Sequence, residues 1–288
     1  TASTDTYSTV GACRLVIPAA QGVLNNDRDS DGDELFAVIE AETTNGTLTL
    51  EADGSFVYIP SLPLSPMDSF RYRVSDGITE STSTEVNIEI DNDGIIVTTI
   101  DDISEADEQC SLREAFEMAN TGLAVDACAT TNSNKRILFG VSEGRFSLNL
   151  NAVVNEPETE VEIPNDDDGN QRGDLDLKSE VTLMGCGYNN TIIDGNARTR
   201  LFHVLPGALF RAQNLSINNG STHSSGSAIY NEGSTHLIGV SFQNNHTTGL
   251  SGDNGGTTGG GGGGGGAGSF GGAIYNHTDA TLTIEGTD

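Results

Sequence analysis

The stretch "NNDRDSDGDEL" places four aspartates on alternate positions of one short loop. The oxygen-bearing residues of this loop are Asn26, Asp27, Asp29, Asp31 and Asp33, and Gly32 permits a tight turn among them. Carboxylate and amide oxygens at such spacing are the ligands with which a loop wraps a hard cation such as Ca²⁺. Val38 stands where an EF-hand needs its bidentate glutamate, so the loop is not an EF-hand. The sequence therefore predicts a calcium site, with a plain acidic turn as the alternative.

A second acidic cluster lies further along the chain. Its candidate calcium ligands are Asp166, Asp168, Asp174 and Asp176. These side chains offer the oxygen ligands that Ca²⁺ prefers, but the same composition is typical of a solvated loop. Calcium binding and a solvated loop both stay open here.

Residues that could cleave a polysaccharide are few. A lyase needs a base beside a cation, and a hydrolase needs two carboxylates about 5–9.5 Å apart across a cleft. The candidates are Asp194, Arg198, Arg200 and His203. No second acid is suitably placed in the last third of the sequence. We therefore expect no catalytic residues and no enzymatic activity, and a polysaccharide lyase or hydrolase is the alternative.

The charge of the chain excludes several partners. There are 42 acidic and 13 basic residues, and the formal net charge is −29. Such a chain repels nucleic acid and anionic lipid surfaces, so neither is expected as a partner. No run approaches the about 20 apolar residues that cross a bilayer, so we expect no membrane insertion. No signal segment opens the sequence, which predicts a mature product or an excised fragment.

The cysteines indicate an exported protein. The chain has four of them, Cys13, Cys110, Cys128 and Cys186, and none has the CxxC spacing of a metal or redox site. An even number of cysteines in such a chain fits a disulfide-containing protein of an oxidising compartment. Sequence separation does not decide whether Cys13 and Cys186 pair or stay free.

The elements of the first ninety residues are predicted to be short strands. In "GTLTLEADGSFVYIP" apolar residues alternate on both sides of the turn at Asp53 and Gly54, which is typical of a β-hairpin. "DSFRYRVSDG" and "TEVNIEI" repeat the alternation. Strands at roughly ten-residue spacing predict an antiparallel β-sandwich over residues 1–93.

This segment resembles the bacterial cadherin-like, immunoglobulin-like repeats of large secreted adhesins. The residues that carry the resemblance are "GVLNNDRDSDGDEL", "NGTLTLEADGSFVYIP" and "DSFRYRVSDG". Modules of that family act as rigid spacers that calcium often stiffens. The resemblance implies the same role for residues 1–93, with Ca²⁺ as the cofactor.

One convincing helix follows the predicted sandwich, at Cys110 to Asn120. Ser111 can cap it, Glu114 stands three residues later as in a capping box, and Gly122 lies just beyond its end. Arg113 and Glu114 resemble catalytic residues in isolation, but a cap helix with a structural ion pair is the preferred interpretation.

The sequence "CSLREAFEMAN" closely resembles the entry motif of secreted bacterial proteins named for their "CSLREAI" sequence. In those proteins a second cysteine follows a short loop, and Cys128 takes that place here. The resemblance implies a Cys110–Cys128 disulfide and a cap at about residues 104–128. It also implies that residues 94–288 form a right-handed parallel β-helix.

Late segments of the chain repeat with a period of 25 residues. "NLSINNG" and "GVSFQNN" align with this offset, and two "AIYN" phrases lie 45 residues apart, which becomes 25 once a 20-residue insertion at 249–268 is subtracted. Such a period is typical of a solenoid, so the glycine-rich stretch is predicted to be a loop within one coil. "FQNN" and "GGAIYN" also resemble repeats of the chlamydial polymorphic outer-membrane proteins, which are β-helical surface adhesins.

The sequence as a whole predicts an all-β protein, an antiparallel sandwich followed by a parallel β-helix with one short capping helix. We expect an extracellular or cell-surface structural and adhesive protein that binds a cell-surface or glycan ligand. The alternative from another class is a self-assembling subunit of an extracellular filament, of the kind that could contribute to a biofilm. In that case the open β-helix end would pair with a strand of the next molecule, such as the tail at residues 1–10.

Overall fold

The computed structural model describes residues 2–104, 106–130, 135–148, 173–222, 225–247 and 272–286. The chain divides into two compact units, one of residues 1–93 and 138–142 and the other of residues 94–137 and 143–288. Insertion residues 249–268 and the predicted ligands Asp166 and Asp168 lie outside the described residues.

The first unit is a β-sandwich of two sheets. Its strands are β1 (Asp5–Val10), β2 (Leu15–Ile17), β3 (Phe36–Ala41), β4 (Gly46–Leu50), β5 (Phe56–Pro60), β6 (Met67–Ser75) and β7 (Thr84–Asp91), with a 3₁₀ turn at Ala19–Gln21. One sheet has the order β1-β7-β6-β3 and the other the order β2-β5-β4. Only β1 pairs in parallel, with β7, and the remaining pairs of these two sheets are antiparallel.

The alternation seen in the sequence sets the core of this sandwich. Phe56 and Tyr58 on β5 face Phe70 and Tyr72 on β6, and all four side chains are almost completely buried. Because side chains of a strand point to opposite faces in turn, the residues that lie between these aromatic residues are on the outer faces of the sheets. The predicted hairpin at Asp53 is confirmed, since β4 and β5 pair antiparallel on either side of it.

The N-terminal segment already belongs to its own sheet. Residues of β1 pair with β7 from Asp5 opposite Val86 to Val10 opposite Asp91. A strand that is paired in this way cannot complete the sheet of a second molecule without first leaving its own. The use of residues 1–10 as a donor strand would therefore require β1 to leave β7, and it stays a prediction.

The second unit consists of parallel strands and one helix among the described residues. The elements are β8 (Ile95–Val97), α1 (Leu112–Thr121), β9 (Arg136–Phe139), β10 (Gly144–Ser147), β11 (Leu175–Leu177), β12 (Glu180–Met184), β13 (Thr191–Asp194), β14 (Phe202–Val204), β15 (Leu209–Asn218), β16 (Ser221–Thr222), β17 (Ile229–Asn231), β18 (Ser234–Gln243), β19 (His246–Thr247), β20 (Ile274–Asn276) and β21 (Thr281–Glu285). One sheet has the order β10-β13-β15-β12-β9-β8 and continues from β15 through β18 to β21. A second has the order β11-β14-β17-β20, and β16 pairs with β19.

Successive coils stack in the register that the repeat predicts. β15 pairs in parallel with β18 over nine residue pairs, and Leu215 lies opposite Val240, 25 residues later. β17 pairs in parallel with β20, which places Tyr230 beside Tyr275 across the two "AIYN" phrases. The predicted all-β fold class is confirmed, while the predicted insertion of the glycine-rich stretch into one coil falls outside the described residues.

Left-handed residues turn the corners of the coils. Asn214, Gly239 and Gly286 have φ values of +53°, +58° and +52°, and they occupy one corner in three successive coils. Asn219 and Asn244 repeat the pattern at a second corner, with φ values of +54° and +56°. Glycine and asparagine are the residues that adopt this conformation at least cost, which explains their abundance in this part of the sequence.

Helix α1 has the capping box that the sequence predicts. The hydroxyl of Ser111 accepts a hydrogen bond from the Glu114 amide, and the Glu114 carboxylate accepts one from the Ser111 amide. Gly122 closes the helix in the left-handed conformation. Arg113 is buried and donates to Asp102 at 2.8 Å and to the carbonyl of Gly173 at 3.0 Å. Arg113 and Glu114 thus both have structural partners.

The helix packs against the β-helix core through an aromatic contact. Phe116 is completely buried, and its ring centroid lies 5.8 Å from that of Phe202 and 6.4 Å from that of Phe210. Phe202 and Phe210 belong to the β14 and β15 strands, so one side chain joins the cap to both large sheets. None of the described helices is long and apolar enough to cross a membrane.

We expect Phe116→Ala to lower the free energy of unfolding of the second unit by about 3–5 kcal/mol, because it leaves a cavity at this contact. Urea unfolding followed by circular dichroism measures the change. Leu123→Ala is the matched control, since Leu123 is 70% exposed and its truncation should shift stability by less than about 0.5 kcal/mol. Equal losses in the two variants would contradict the assigned packing.

Candidate functional site

The predicted calcium loop is held by its own backbone amides. Oδ2 of Asp29 accepts hydrogen bonds from the amides of Asp31 and Gly32 at 2.7 and 2.8 Å, and a longer one from Asp33 at 3.3 Å. These hydrogen bonds lower the pKa of Asp29, because they favour its ionised form. A carboxylate oxygen that accepts three amides is a turn-forming group in this structure.

Two of the remaining predicted ligands, Asp27 and Asn26, have partners outside the loop. Asp27 is buried, its Oδ1 accepts the amide of Ser3 at 2.8 Å, and its Oδ2 lies 2.9 Å from the hydroxyl of Tyr72. Asn26 donates its side-chain amide to Asp5 at 2.9 Å. Among the described residues no three His, Cys, Asp or Glu side chains converge as a metal site would require. The structure therefore does not bring the five predicted ligands together.

Asp5 and Asp27 form a carboxylate pair that sequence spacing did not reveal. The hydroxyl of Tyr72, 2.9 Å from Asp27, also lies 3.4 Å from Oδ2 of Asp5. Burial and the neighbouring charge of Asp27 raise the pKa of Asp5 to about 6, although hydrogen bonds from Tyr72 and Asn26 act in the opposite direction. The pairing of β1 with β7 carries Asp5 to this position, and no local motif encodes it.

The described members of the second acidic cluster hold cationic side chains. Asp174 lies 3.3 Å from the guanidinium of Arg200, and Oδ1 of Asp176 lies 3.3 Å from Nδ1 of His203. Arg200 is 5% exposed and also donates to the carbonyls of Ser225 and Gly226. These two aspartates therefore pair with largely buried basic side chains in the structure, and calcium binding by the whole cluster stays a prediction.

An outward row of side chains crosses the second parallel sheet. Asp176, His203, Tyr230 and Tyr275 occupy corresponding positions on β11, β14, β17 and β20, and we call this row the polar ladder. The rings of His203 and Tyr230 meet edge to face at 5.3 Å, and those of Tyr230 and Tyr275 stack at 4.8 Å. The guanidinium carbon of Arg200 lies 4.7 Å from the Tyr230 ring centroid, within cation–π range.

His203 is the titratable centre of the polar ladder. Its Nε2 lies 3.0 Å from Glu232, while its Nδ1 faces Asp176. Both nitrogens can donate only when the ring is protonated. Burial lowers the pKa of His203, but hydrogen bonds to Asp176 and Glu232 outweigh that effect, so the pKa lies above its usual value.

The candidate catalytic residues are distributed over different parts of the β-helix. Asp194 lies on β13, where it forms an ion pair with Arg145. Nδ2 of Asn219 donates to both carboxylate oxygens of Asp194, each at 3.0 Å. Arg198 is exposed in the following turn, whereas Arg200 and His203 belong to the neighbourhood of the polar ladder. Each of the three less exposed candidates has charged or amide partners that fix its orientation.

The cysteines are all oxidised. Cys110 and Cys128 are joined by a disulfide that closes the loop containing α1. Cys13 and Cys186 are also disulfide-bonded, and the chain has no free cysteine.

Comparison with known families identifies the first unit. Residues 1–92 match the model of the bacterial cadherin-like domain. No curated protein matches the chain. The resemblance of the later residues to CSLREAI-type proteins and to polymorphic outer-membrane repeats rests on their motifs and stays a prediction, while the parallel sheets fit a β-helix.

The solved structures include a low-scoring match. The 2,6-sialyltransferase of Photobacterium sp. JT-ISH-224 (Vibrionaceae), in a ternary complex with CMP and lactose, aligns at 11% identity with a TM-score of 0.24. The alignment covers 73% of this chain and 35% of the enzyme chain, so the chain spans about a third of that protein. A TM-score this low does not indicate a shared fold.

We expect Asp5→Asn to stabilise the sandwich at neutral pH. The folded pKa of Asp5 lies above its unfolded value of 3.8, so the wild-type chain loses stability as the pH rises from about 4 through about 6. The amide removes this loss, and the gain at about pH 7.5 should be about 1 kcal/mol after allowance for solvent screening of a half-buried group. Urea unfolding at about pH 4 and 7.5 measures it, and an equal effect at both values would contradict the assignment.

We expect the opposite pH dependence for His203. Its raised pKa contributes stability that is complete below the unfolded value of about 6.5 and is lost as the pH rises through the folded value. His203→Gln should therefore cost about 1–3 kcal/mol at about pH 5.5 and less at about pH 8.5. His246→Gln, an exposed histidine, is the control. A cost that does not change with pH would show that protonated His203 does not link Asp176 to Glu232.

Proposed function

We propose that this chain is an extracellular adhesive protein without enzymatic activity, in which the cadherin-like domain is a spacer and the β-helix is the contact surface. The observation that carries the proposal is the match of residues 1–92 to the bacterial cadherin-like domain. A β-helix suits a contact role because its coils present a long outward surface in fixed register.

The covalent and charge properties of the chain support an exported location. All four cysteines are disulfide-bonded, and such bonds persist in oxidising compartments. A formal net charge of −29 favours solubility and works against association with nucleic acid or anionic membranes. Both properties are compatible with a cell-surface protein.

The pairing of charged groups in the β-helix supports a non-enzymatic role. A general base or acid needs a site that a substrate can reach in the correct protonation state. His203 lies between two carboxylates with only 13% of its side chain exposed, and Arg200 is held by Asp174 and two carbonyls. These contacts favour a structural role for the residues that first suggested polysaccharide cleavage.

Calcium stiffening of the spacer belongs to the same proposal. The loop around Asp29 is the candidate, because its carboxylates are the most concentrated oxygen ligands of the first domain. Calcium binding would require Asp29 to exchange amide hydrogen bonds for the cation, so we expect the loop to rearrange when Ca²⁺ binds.

The proposal is tested by adhesion under flow. Beads carrying the full chain should be retained on surfaces coated with bacterial cells or with their extracted polysaccharides, in Ca²⁺ and in excess chelator. Beads carrying an unrelated protein of similar acidity are the control. Retention equal to that control in both solutions would refute an adhesive role.

The same preparation separates the alternatives. Release of reducing ends or unsaturated uronates from the polysaccharides would contradict the non-enzymatic part of the proposal. Sedimentation with electron microscopy reports self-association: filaments in Ca²⁺ that dissolve in chelator would replace the adhesin with a self-assembling subunit, whereas monomers in both solutions support the adhesin.

A further inference from the structure

A small groove opens on the outer surface of the β-helix beside Tyr188. It has a volume of about 210 Å³, and all residues that line it are uncharged. The side chain of Tyr188 is 55% exposed, which is unusual for a tyrosine in this chain, since Tyr58 and Tyr72 are completely buried. The groove combines this exposed ring with Asn214, Ser241 and the backbone of neighbouring glycines.

The turn that carries Tyr188 is rigidly anchored. Ser216 donates its hydroxyl to the Tyr188 carbonyl at 2.6 Å, and the Gly187 amide donates to the Asn214 carbonyl at 2.7 Å. Within the turn, the amides of Asn190 and Thr191 both donate to the Gly187 carbonyl at 2.9 Å. Because these hydrogen bonds fix the backbone on both sides of Tyr188, a ligand that binds the exposed ring does not have to order the turn as well.

The floor of the groove is the corner column of three successive coils. Asn214, Gly239 and Gly286 are its left-handed residues, and only the first has a side chain. The Asn214 carboxamide oxygen lies 3.0 Å from the position that a Cβ on Gly239 would take, so it projects over the next coil. Two glycines below an amide leave room for a ligand to approach the backbone closely.

These groups select a ligand by chemistry. An aromatic face binds the C–H face of a sugar ring, and an amide and a hydroxyl beside it can exchange hydrogen bonds with ring hydroxyls. The uncharged lining and the acidic chain disfavour acidic sugars, which would need a cationic partner. The volume, about 210 Å³, lies below the range of about 300–1,000 Å³ that is typical of sites for larger ligands, and it limits the ligand to one ring.

We infer that the Tyr188 groove binds one neutral pyranose unit of a glycan, stacked on the Tyr188 ring and hydrogen-bonded by Asn214 and Ser241. The inference rests on the proposed adhesive function, for which it names a contact site and a ligand class. The polar ladder is a separate surface and contributes none of the residues that line the groove.

Affinity electrophoresis of the full chain tests the inference. Gels containing a neutral glucan, galactan or mannan should retard the wild-type chain in at least one case, and a polygalacturonate gel should not retard it. Tyr188→Ala should raise the dissociation constant about tenfold, which is near the upper limit for the loss of one aromatic stacking contact. Tyr188→Phe keeps the ring and should stay within about twofold of the wild type.

The corner asparagines supply a matched pair of variants. Asn214→Gly removes the amide while glycine accepts the left-handed backbone, so binding should weaken several-fold and folding should be unchanged. Asn244→Gly makes the same substitution at an exposed left-handed corner that does not line the groove, and it should bind as the wild type does. Circular dichroism and urea midpoints establish that each variant is folded.

The inference is overturned if none of the three neutral polysaccharides retards the wild type, or if a folded Tyr188→Ala variant binds as tightly as the wild type. Equal or stronger retardation by polygalacturonate would overturn the assignment of a neutral ligand.

Adhesion under flow separates the proposed groove from the proposed adhesive function. If wild-type beads adhere and Tyr188→Ala beads adhere equally well, only the proposed role of the groove is refuted. If the chain binds a soluble glycan but its beads do not adhere, only the adhesive function is refuted.

Discussion

The parallel stacking of one coil on the next is the constraint on which the β-helix depends. Each coil must return its strands to the same register, as Leu215 does opposite Val240, and it can do so only if the chain turns at the same places. Those turns require positive φ values, which side chains other than glycine and asparagine adopt at a cost. Apolar residues at inward positions then stack on one another, as Phe202 does on Leu175. The same register also places the outward side chains of successive coils side by side, whatever their residue types.

Alignment of outward positions has an electrostatic consequence. Residues that are 27 apart in sequence, such as Asp176 and His203, become direct neighbours on the polar ladder. Charges that are partly buried in this way are costly unless they are paired, because their water is removed. The contacts of His203 with Glu232 and of Arg200 with Asp174 meet this requirement. Two of the candidate metal ligands of the sequence, Asp174 and Asp176, are here the partners of Arg200 and His203.

Features with a short-range physical code could be predicted from the sequence. The alternation around Phe70 and Tyr72 identified the sandwich core, and the capping box at Ser111 identified the helix. Contacts set by long-range pairing could not be predicted: the strand pairing that brings Asp5 to Asp27 has no local signature, and the polar ladder joins unlike residue types. The amide hydrogen bonds that Asp29 accepts could not be predicted from the spacing of the aspartates either, and calcium binding at this loop stays a prediction.

Corners are where a β-helix can change its surface without changing its fold. A residue on an inward row is fixed by packing, whereas a corner residue must satisfy only its backbone conformation, which asparagine and glycine both do. Replacement of one by the other in successive coils therefore adds or removes a side chain at little conformational cost. Asn214 above Gly239 and Gly286 is such a choice, and it leaves an amide beside an open floor. The same backbone requirement that keeps the coils in register thus permits a binding groove on their outer surface.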